Sequence, residues 1–127
     1  MIALLGASGI YLAAMQAGIN APTEAFRACL REASSKANNE KVAAANIDAY
    51  LRNACTVQLG SLKSAVVAFR VKNGMGRKAA SADADMTVDD YVATSVDKYQ
   101  FMADRNAPKA ASTQQPTPAA APQPPKQ

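Results

Sequence analysis

Apolar residues recur at helical spacing through the middle of the chain, from Leu51 to Phe69. The steps between them are three or four residues, which places them on one face of a helix. A second stripe with the same spacing lies upstream, between Phe26 and Ala37. The two stripes predict a pair of helices packed face to face. Their members are Leu51, Cys55, Leu59, Leu62, Val66 and Phe69 in one, and Phe26, Cys29, Leu30, Ala33 and Ala37 in the other.

Each stripe contains one of the two cysteines of the chain, Cys29 and Cys55. In an antiparallel hairpin whose connection is centred near residue 41, these two positions lie at nearly the same height, and both face the partner helix. The spacing therefore predicts a Cys29–Cys55 disulfide. Disulfides persist in oxidising compartments, which favours a periplasmic or secreted protein. The alternative is a cytoplasmic helical protein with two free thiols.

The ends of the first two helices are marked by polar residues. Thr23 as N-cap and Glu24 in the first turn predict a first helix from Thr23 to about Lys36. The pair of asparagines that follows interrupts it. The second helix is predicted to begin near Asn46 and to run unbroken to Lys72, where Gly74 supplies the C-terminal signal.

A third helix is predicted after Gly76, on the spacing of Ala80, Ala84 and Val88. Thr87 has an acid three residues later and resembles a capping box, so this helix is predicted to restart at Thr87. A stripe of small residues on the second helix offers a face to the third: Ala54, Ser61, Ala65 and Ala68. The predicted fold is all-α, a disulfide-linked antiparallel helical hairpin with a third long helix packed on it.

The two ends of the chain differ from the predicted helical domain, residues 22–105. Residues 1–21 are an apolar leader and are predicted to be a signal peptide. Its uncharged run from Ile2 to Met15 has the length of a signal-peptide core. The Lys or Arg that usually precedes such a core is missing. A buried N-terminal helix is the alternative. The tail, residues 106–127, is rich in Pro, Ala and Gln, contains no large apolar residue and is predicted to be a disordered spacer. No stable membrane span is expected in the mature chain.

The composition excludes several kinds of chemistry. The chain contains no histidine, the commonest general base and metal ligand near neutral pH. Two cysteines alone cannot build a structural zinc site. We therefore expect no catalytic residues, no cofactor, no metal and no enzymatic activity. The formal net charge of +4 is modest for a nucleic-acid-binding protein, so nucleic acid is not the expected partner.

One cluster of charges is a candidate ligand site. Four cations flank the predicted turn between the second and third helices, and we call them the basic corner: Arg70, Lys72, Arg77 and Lys78. Helix N-termini attract anions, and neighbouring Arg and Lys strengthen that attraction, so the corner is a candidate for phosphate or polyanion binding. Its spacing does not match a P-loop. The alternative is an ordinary solvated turn.

Acidic residues gather early in the third helix: Asp83, Asp85, Asp89 and Asp90. If this helix folds back on the second, they lie near Lys63 and the other cations of that helix, which predicts ion pairs between the two. A calcium site is the alternative, but the spacing does not match an EF-hand loop. The face formed by Leu59, Leu62, Val66 and Phe69 could also hold a second copy of the chain, and the sequence does not decide between monomer and dimer.

Several of these features occur together in a known group. The apolar leader, Phe26-x-x-Cys29, Cys55, the turn Val71-Lys72-Asn73-Gly74 with Arg77 after it, and Asp90-Tyr91 resemble a group of small exported alphaproteobacterial proteins of unknown function. The resemblance covers about Phe26 to Tyr91. It implies a periplasmic helical protein and no particular activity. The expected function is a non-enzymatic structural or interaction role with an unknown partner in the cell envelope.

Overall fold

Four α-helices follow one another in the computed structural model, which describes residues 8–107 and the side chains of residues 18–107. The fold is all-α, as predicted, with no strand among the described residues. One 3₁₀ turn, Ala44–Asn46, precedes the second helix. The helices are α1 (Ser8–Asn39), α2 (Ile47–Ala54), α3 (Thr56–Lys72) and α4 (Arg77–Asn106).

The helices form an antiparallel hairpin with a third arm. α2 and α3 run back along α1, and the predicted disulfide joins Cys29 to Cys55 with their Cα atoms 5.9 Å apart. α4 then returns along α3 in the opposite direction and also contacts α1 and α2. The disulfide-linked hairpin with a third helix packed on it is therefore confirmed.

The predicted start of the first helix at Thr23 is wrong. α1 begins at Ser8 and continues through Pro22. The Thr23 hydroxyl donates to the carbonyl of Ile19 at 2.8 Å, so Thr23 lies inside the helix and does not cap it. The residues before Pro22 are rich in alanine, the strongest helix former, which favours this extension. The predicted leader boundary at residue 21 thus falls within α1, while residues 1–7 of that leader and residues 108–127 of the predicted tail lie outside the described residues.

The second predicted helix is divided at Cys55, which has φ −110° and ψ 24°. The Cys55 N–H still donates to Leu51 at 3.0 Å, and the Cys55 carbonyl accepts from Leu59 at 2.9 Å. The Thr56 hydroxyl lies 3.0 Å from the carbonyl oxygens of Arg52 and Asn53 and donates to the last turn of α2. Because only one residue leaves the helical conformation, the apolar stripe stays on one face across the break.

That stripe forms the centre of the core. Leu51 and Cys55 are fully buried, and Leu62 and Val66 are nearly so. Two residues of the face named as a dimer candidate, Leu62 and Val66, are therefore covered within a single chain, whereas Leu59 and Phe69 are only partly buried. The predicted use of the small-residue stripe is wrong, because most of its side chains are exposed. The side chains that α4 itself contributes to the core are Ala80, Ala84, Val88, Val92 and Tyr99.

α1 completes the core from the other side. Its buried residues are spaced by three or four positions, at Phe26, Leu30, Ala33 and Ala37. The Phe26 ring packs edge to face against Tyr91 of α4, with ring centroids 6.3 Å apart. This arrangement of aromatic rings is a favourable one, and it joins α1 to α4 near the level of the disulfide.

Tyr99 links α4 to the end of α1. Its hydroxyl donates to the carbonyl of Val42 at 2.7 Å and lies 3.3 Å from that of Ala37. The connection between these carbonyls contains Lys41 in the left-handed region, with φ 55°. The Val42 N–H donates to Ala37 at 2.9 Å, the pattern of a helix C-terminal Schellman motif. The nearly buried Tyr99 thus satisfies a backbone acceptor that this turn leaves open.

α4 is a single uninterrupted helix, so the predicted restart at Thr87 is wrong. The Thr87 hydroxyl donates to the carbonyl of Asp83 at 2.8 Å, within the helix. The helix begins instead after Gly76, which has extended dihedrals and provides no side-chain cap.

Candidate functional site

The basic corner lies at the turn between α3 and α4, as the sequence predicts. Gly74 has φ +93°, a conformation in which a side chain is strained. Its N–H donates to Val71 at 3.0 Å, and the N–H of Met75 donates to Arg70 at 3.0 Å. These two bonds form a second Schellman motif. The glycine therefore sets the tight reversal that brings the four cations together.

Arg70 differs from the other three cations. Its Nε donates to the Asp83 carboxylate at 2.6 Å, and its guanidinium lies 5.9 Å from the centroid of the Phe69 ring. The side chain is held by these contacts, so it stabilises the packing of α3 on α4 and is not readily available to a ligand.

Lys72, Arg77 and Lys78 are all exposed. None of the three forms a salt bridge within residues 8–107. The first turn of α4 contains no acidic residue, and Gly76 offers its amides no side-chain acceptor. Positive charge here meets the positive end of the helix dipole, which is unfavourable and is relieved by a bound anion.

An open groove of about 720 Å³ adjoins the corner. Val67 and Val71 form its apolar floor, and Lys63, Lys72 and Arg77 surround it. This groove is not among the sites predicted from the sequence. The available signal was the pair Val67 and Val71, one helical turn apart and off the main stripe.

Three of the four acidic residues early in α4 pair with cations of α2 and α3, as predicted, whereas Asp90 forms no salt bridge among residues 18–107. Asp85 pairs with Lys63, and Asp83 with Arg70. Asp89 accepts from Arg52 at 2.9 Å, and Arg52 also donates to Asp48 at 2.8 Å. The hydrogen bond to Asp48 is the main cause that raises the pKa of Arg52, with Asp89 adding to it. These partly exposed pairs join α4 to α2 and α3, and each contributes little to stability.

The acidic residues do not converge on one point. In the part of the chain that the structure describes, no three His, Cys, Asp or Glu residues lie close enough together to hold a metal ion. Tyr50 donates a hydrogen bond to Glu40 at 3.0 Å. Loss of solvent around the phenol, and then this bond, raises the pKa of Tyr50.

Comparison with known proteins identifies no relative of this chain. None of the helices between residues 8 and 107 combines the length and apolar character needed to cross a membrane. No protein-family model, no curated protein and no solved structure matches the chain.

Proposed function

We propose that this chain is a small exported protein, periplasmic or secreted, with a non-enzymatic structural or interaction role in the cell envelope. The observation that carries the proposal is the disulfide between Cys29 and Cys55 at the centre of the fold. Cys55 is fully buried between α1, α2 and α3. A bond in that place serves the fold and belongs to an oxidising compartment. The resemblance to small exported alphaproteobacterial proteins supports the same compartment.

The distribution of charge supports a non-enzymatic role. Catalytic groups usually lie in clefts where burial and neighbours shift their pKa values. Among residues 18–107, the buried side chains are apolar apart from the Tyr99 hydroxyl, and no charged side chain is buried. Asp83, Asp85 and Asp89 are engaged with cations of α2 and α3. Some of the charged side chains thus form ion pairs between helices. All of them lie at the surface, where a partner protein can contact them.

The test is an intact mass of the protein recovered from its native cell, taken without reductant and again after reduction. We expect a chain that has lost its leader and that gains the mass of two hydrogens on reduction, because the Cys29–Cys55 bond is then opened. Fractionation of the same cells places the protein in the envelope or the medium. A full-length chain with two free thiols in the cytoplasmic fraction contradicts the proposal and supports a cytoplasmic helical protein.

The second candidate function is binding of a polyanion at the basic corner. The observation that favours it is the exposure of Lys72, Arg77 and Lys78 beside the uncapped first turn of α4, with no acid in that turn. A phosphate polymer would neutralise these cations and accept hydrogen bonds from the free amides of Arg77 and Lys78.

The Arg77→Ala/Lys78→Ala variant tests this second candidate. We expect it to bind polyphosphate more weakly and to lower the slope of log affinity against log salt by about two, one for each lost phosphate contact. Lys36→Ala/Arg105→Ala removes the same charge near the C-terminal ends of α1 and α4, away from the corner. Equal binding by both variants, or no salt-dependent binding by the unchanged protein, contradicts the candidate.

A further inference from the structure

A second concave site lies far from the basic corner. It is a pocket of about 320 Å³ between α1 and α4, in the second half of each helix. Arg31 and Ser34 line it from α1, and Ser95, Lys98 and Met102 line it from α4. Its volume is at the lower end of the range found for small-molecule sites.

The charged side chains that line this pocket are both cations. Arg31 and Lys98 reach it from opposite walls, and no acidic residue lines it. Neither cation forms a salt bridge with any other residue in the range 8–107. In contrast, Arg52, Lys63 and Arg70 are each paired with an acid of α4. An anion in this pocket therefore meets cations from two helices and no lining carboxylate that would repel it.

The remaining wall is partly apolar. Tyr99 is nearly buried, and its hydroxyl already donates to Val42 at 2.7 Å. With 9% of its surface exposed, Tyr99 offers a ligand a small apolar contact and no free donor. The Met102 side chain is 54% exposed at the same wall. The Ser95 hydroxyl donates to Tyr91 at 3.1 Å, which leaves its oxygen as an acceptor. The pocket thus combines cations with a small apolar surface.

We propose that this pocket binds a small organic anion. A carboxylate or phosphate group lies between Arg31 and Lys98, and a ring or short aliphatic body rests on Tyr99 and Met102. Arg and Lys donate charge-assisted hydrogen bonds to such groups, and thioether and aromatic carbons supply the apolar contact. The polyanion candidate uses none of these residues, and Arg31, Lys98 and Met102 lie outside the buried core.

The two ends of the pocket differ in electrostatics, because Asn38 and Asn106 line it in the last turns of α1 and α4, and the anion is placed at the opposite end. The C-termini of α1 and α4 carry partial negative charge, but that effect falls off within the last turn. Arg31 and Lys98 each lie about two turns before the end of their helix.

The chain's own C-terminal segment is a poor occupant for the pocket. Residues 108–127 contain two lysines and no acidic side chain, so they bring positive charge to a positive site.

Amide chemical shifts of the isotope-labelled full chain, with its disulfide intact, provide the test. The probes are phenyl phosphate and benzoate, with inorganic phosphate and phenol as the anion alone and the ring alone. We expect saturable shifts in residues 31–38 and 95–106 with either aromatic anion. Arg31→Gln and Lys98→Gln are each expected to weaken the binding about tenfold, because each removes a charge-assisted hydrogen bond.

Arg27→Gln and Arg105→Gln are the matched controls, since they remove one exposed charge from α1 or α4 outside the pocket. They are expected to bind within about twofold of the unchanged protein, because neither side chain lines the pocket. Shifts centred on Lys72, Arg77 and Lys78, affinities equal in the pocket and control variants, or no saturable shift with probe at about 10 mM would each overturn the proposal. A preserved shift dispersion in every variant shows that the fold is intact.

Discussion

The double variant Cys29→Ala/Cys55→Ala is expected to lose roughly 3–4 kcal/mol of unfolding free energy. The bond joins residues 26 positions apart. Removing it returns to the unfolded chain the conformational freedom that the closed loop had lost. Small domains bury only a modest fraction of their surface, and total stabilities are on the order of 5–15 kcal/mol. The loss is therefore a large share of the stability of this fold.

Urea unfolding followed by the helical circular dichroism signal measures the effect, with and without reductant. Reductant is expected to move the unfolding curve of the natural chain close to that of the double variant and to leave the variant unchanged. Alanine is chosen because Cys55 is fully buried, and a serine there would bury a hydroxyl. A loss below about 1 kcal/mol would show that the bond is not a main source of stability.

Phe26→Ala is expected to lower the free energy of unfolding by about 3–5 kcal/mol. Phe26 is fully buried and packs edge to face on Tyr91. Its removal loses the free energy gained when the ring is transferred from water to the core, and it leaves a cavity between α1 and α4. The disulfide at Cys29, one turn away, keeps α1 against α2 and α3 and limits how far the helices can collapse into that cavity.

Phe101→Ala is the matched control. It removes the same side chain from α4 at a position where Phe101 is 59% exposed. Its expected effect is within about 0.5 kcal/mol, as for most surface substitutions. Equal losses for the two variants, measured by the same urea titration, would contradict the core that this structure describes.

The parts of the fold that the sequence predicted depend on spacing alone. The two apolar stripes and the equal height of Cys29 and Cys55 follow from the helical repeat. Gly74 marks the α3–α4 turn because its left-handed dihedrals exclude most other residues. The pairing of Asp85 with Lys63 follows once α4 is folded back along α3.

The two wrongly predicted helix starts share one physical cause. Thr23 and Thr87 were interpreted as signs of helix starts, yet each hydroxyl donates to the carbonyl four residues before it. A threonine hydroxyl can cap a new helix or bond to the preceding turn of an existing one. Which occurs depends on whether the upstream residues are already helical. Packing of the whole molecule decides that, and the local sequence does not.

The candidate sites show the same limit. The sequence placed Arg70, Lys72, Arg77 and Lys78 at one corner, but it did not show that Arg70 is engaged by Asp83. That contact depends on the alignment of α3 against α4. The pocket at Arg31 and Lys98 is lined by residues from the first and last helices, so no short stretch of the sequence indicates it.

Pro22 lies inside α1 and interrupts its backbone hydrogen bonding at one position. Proline has no amide hydrogen, so it forms no backbone bond to the turn before it. Every buried side chain of α1 in residues 18–39 comes after it, beginning with Phe26. A chain cut just before Pro22 would place proline in the first turn of a helix, a position that it favours. A different leader, or a fused reporter, can therefore replace the upstream segment without removing any buried side chain found in residues 18–39.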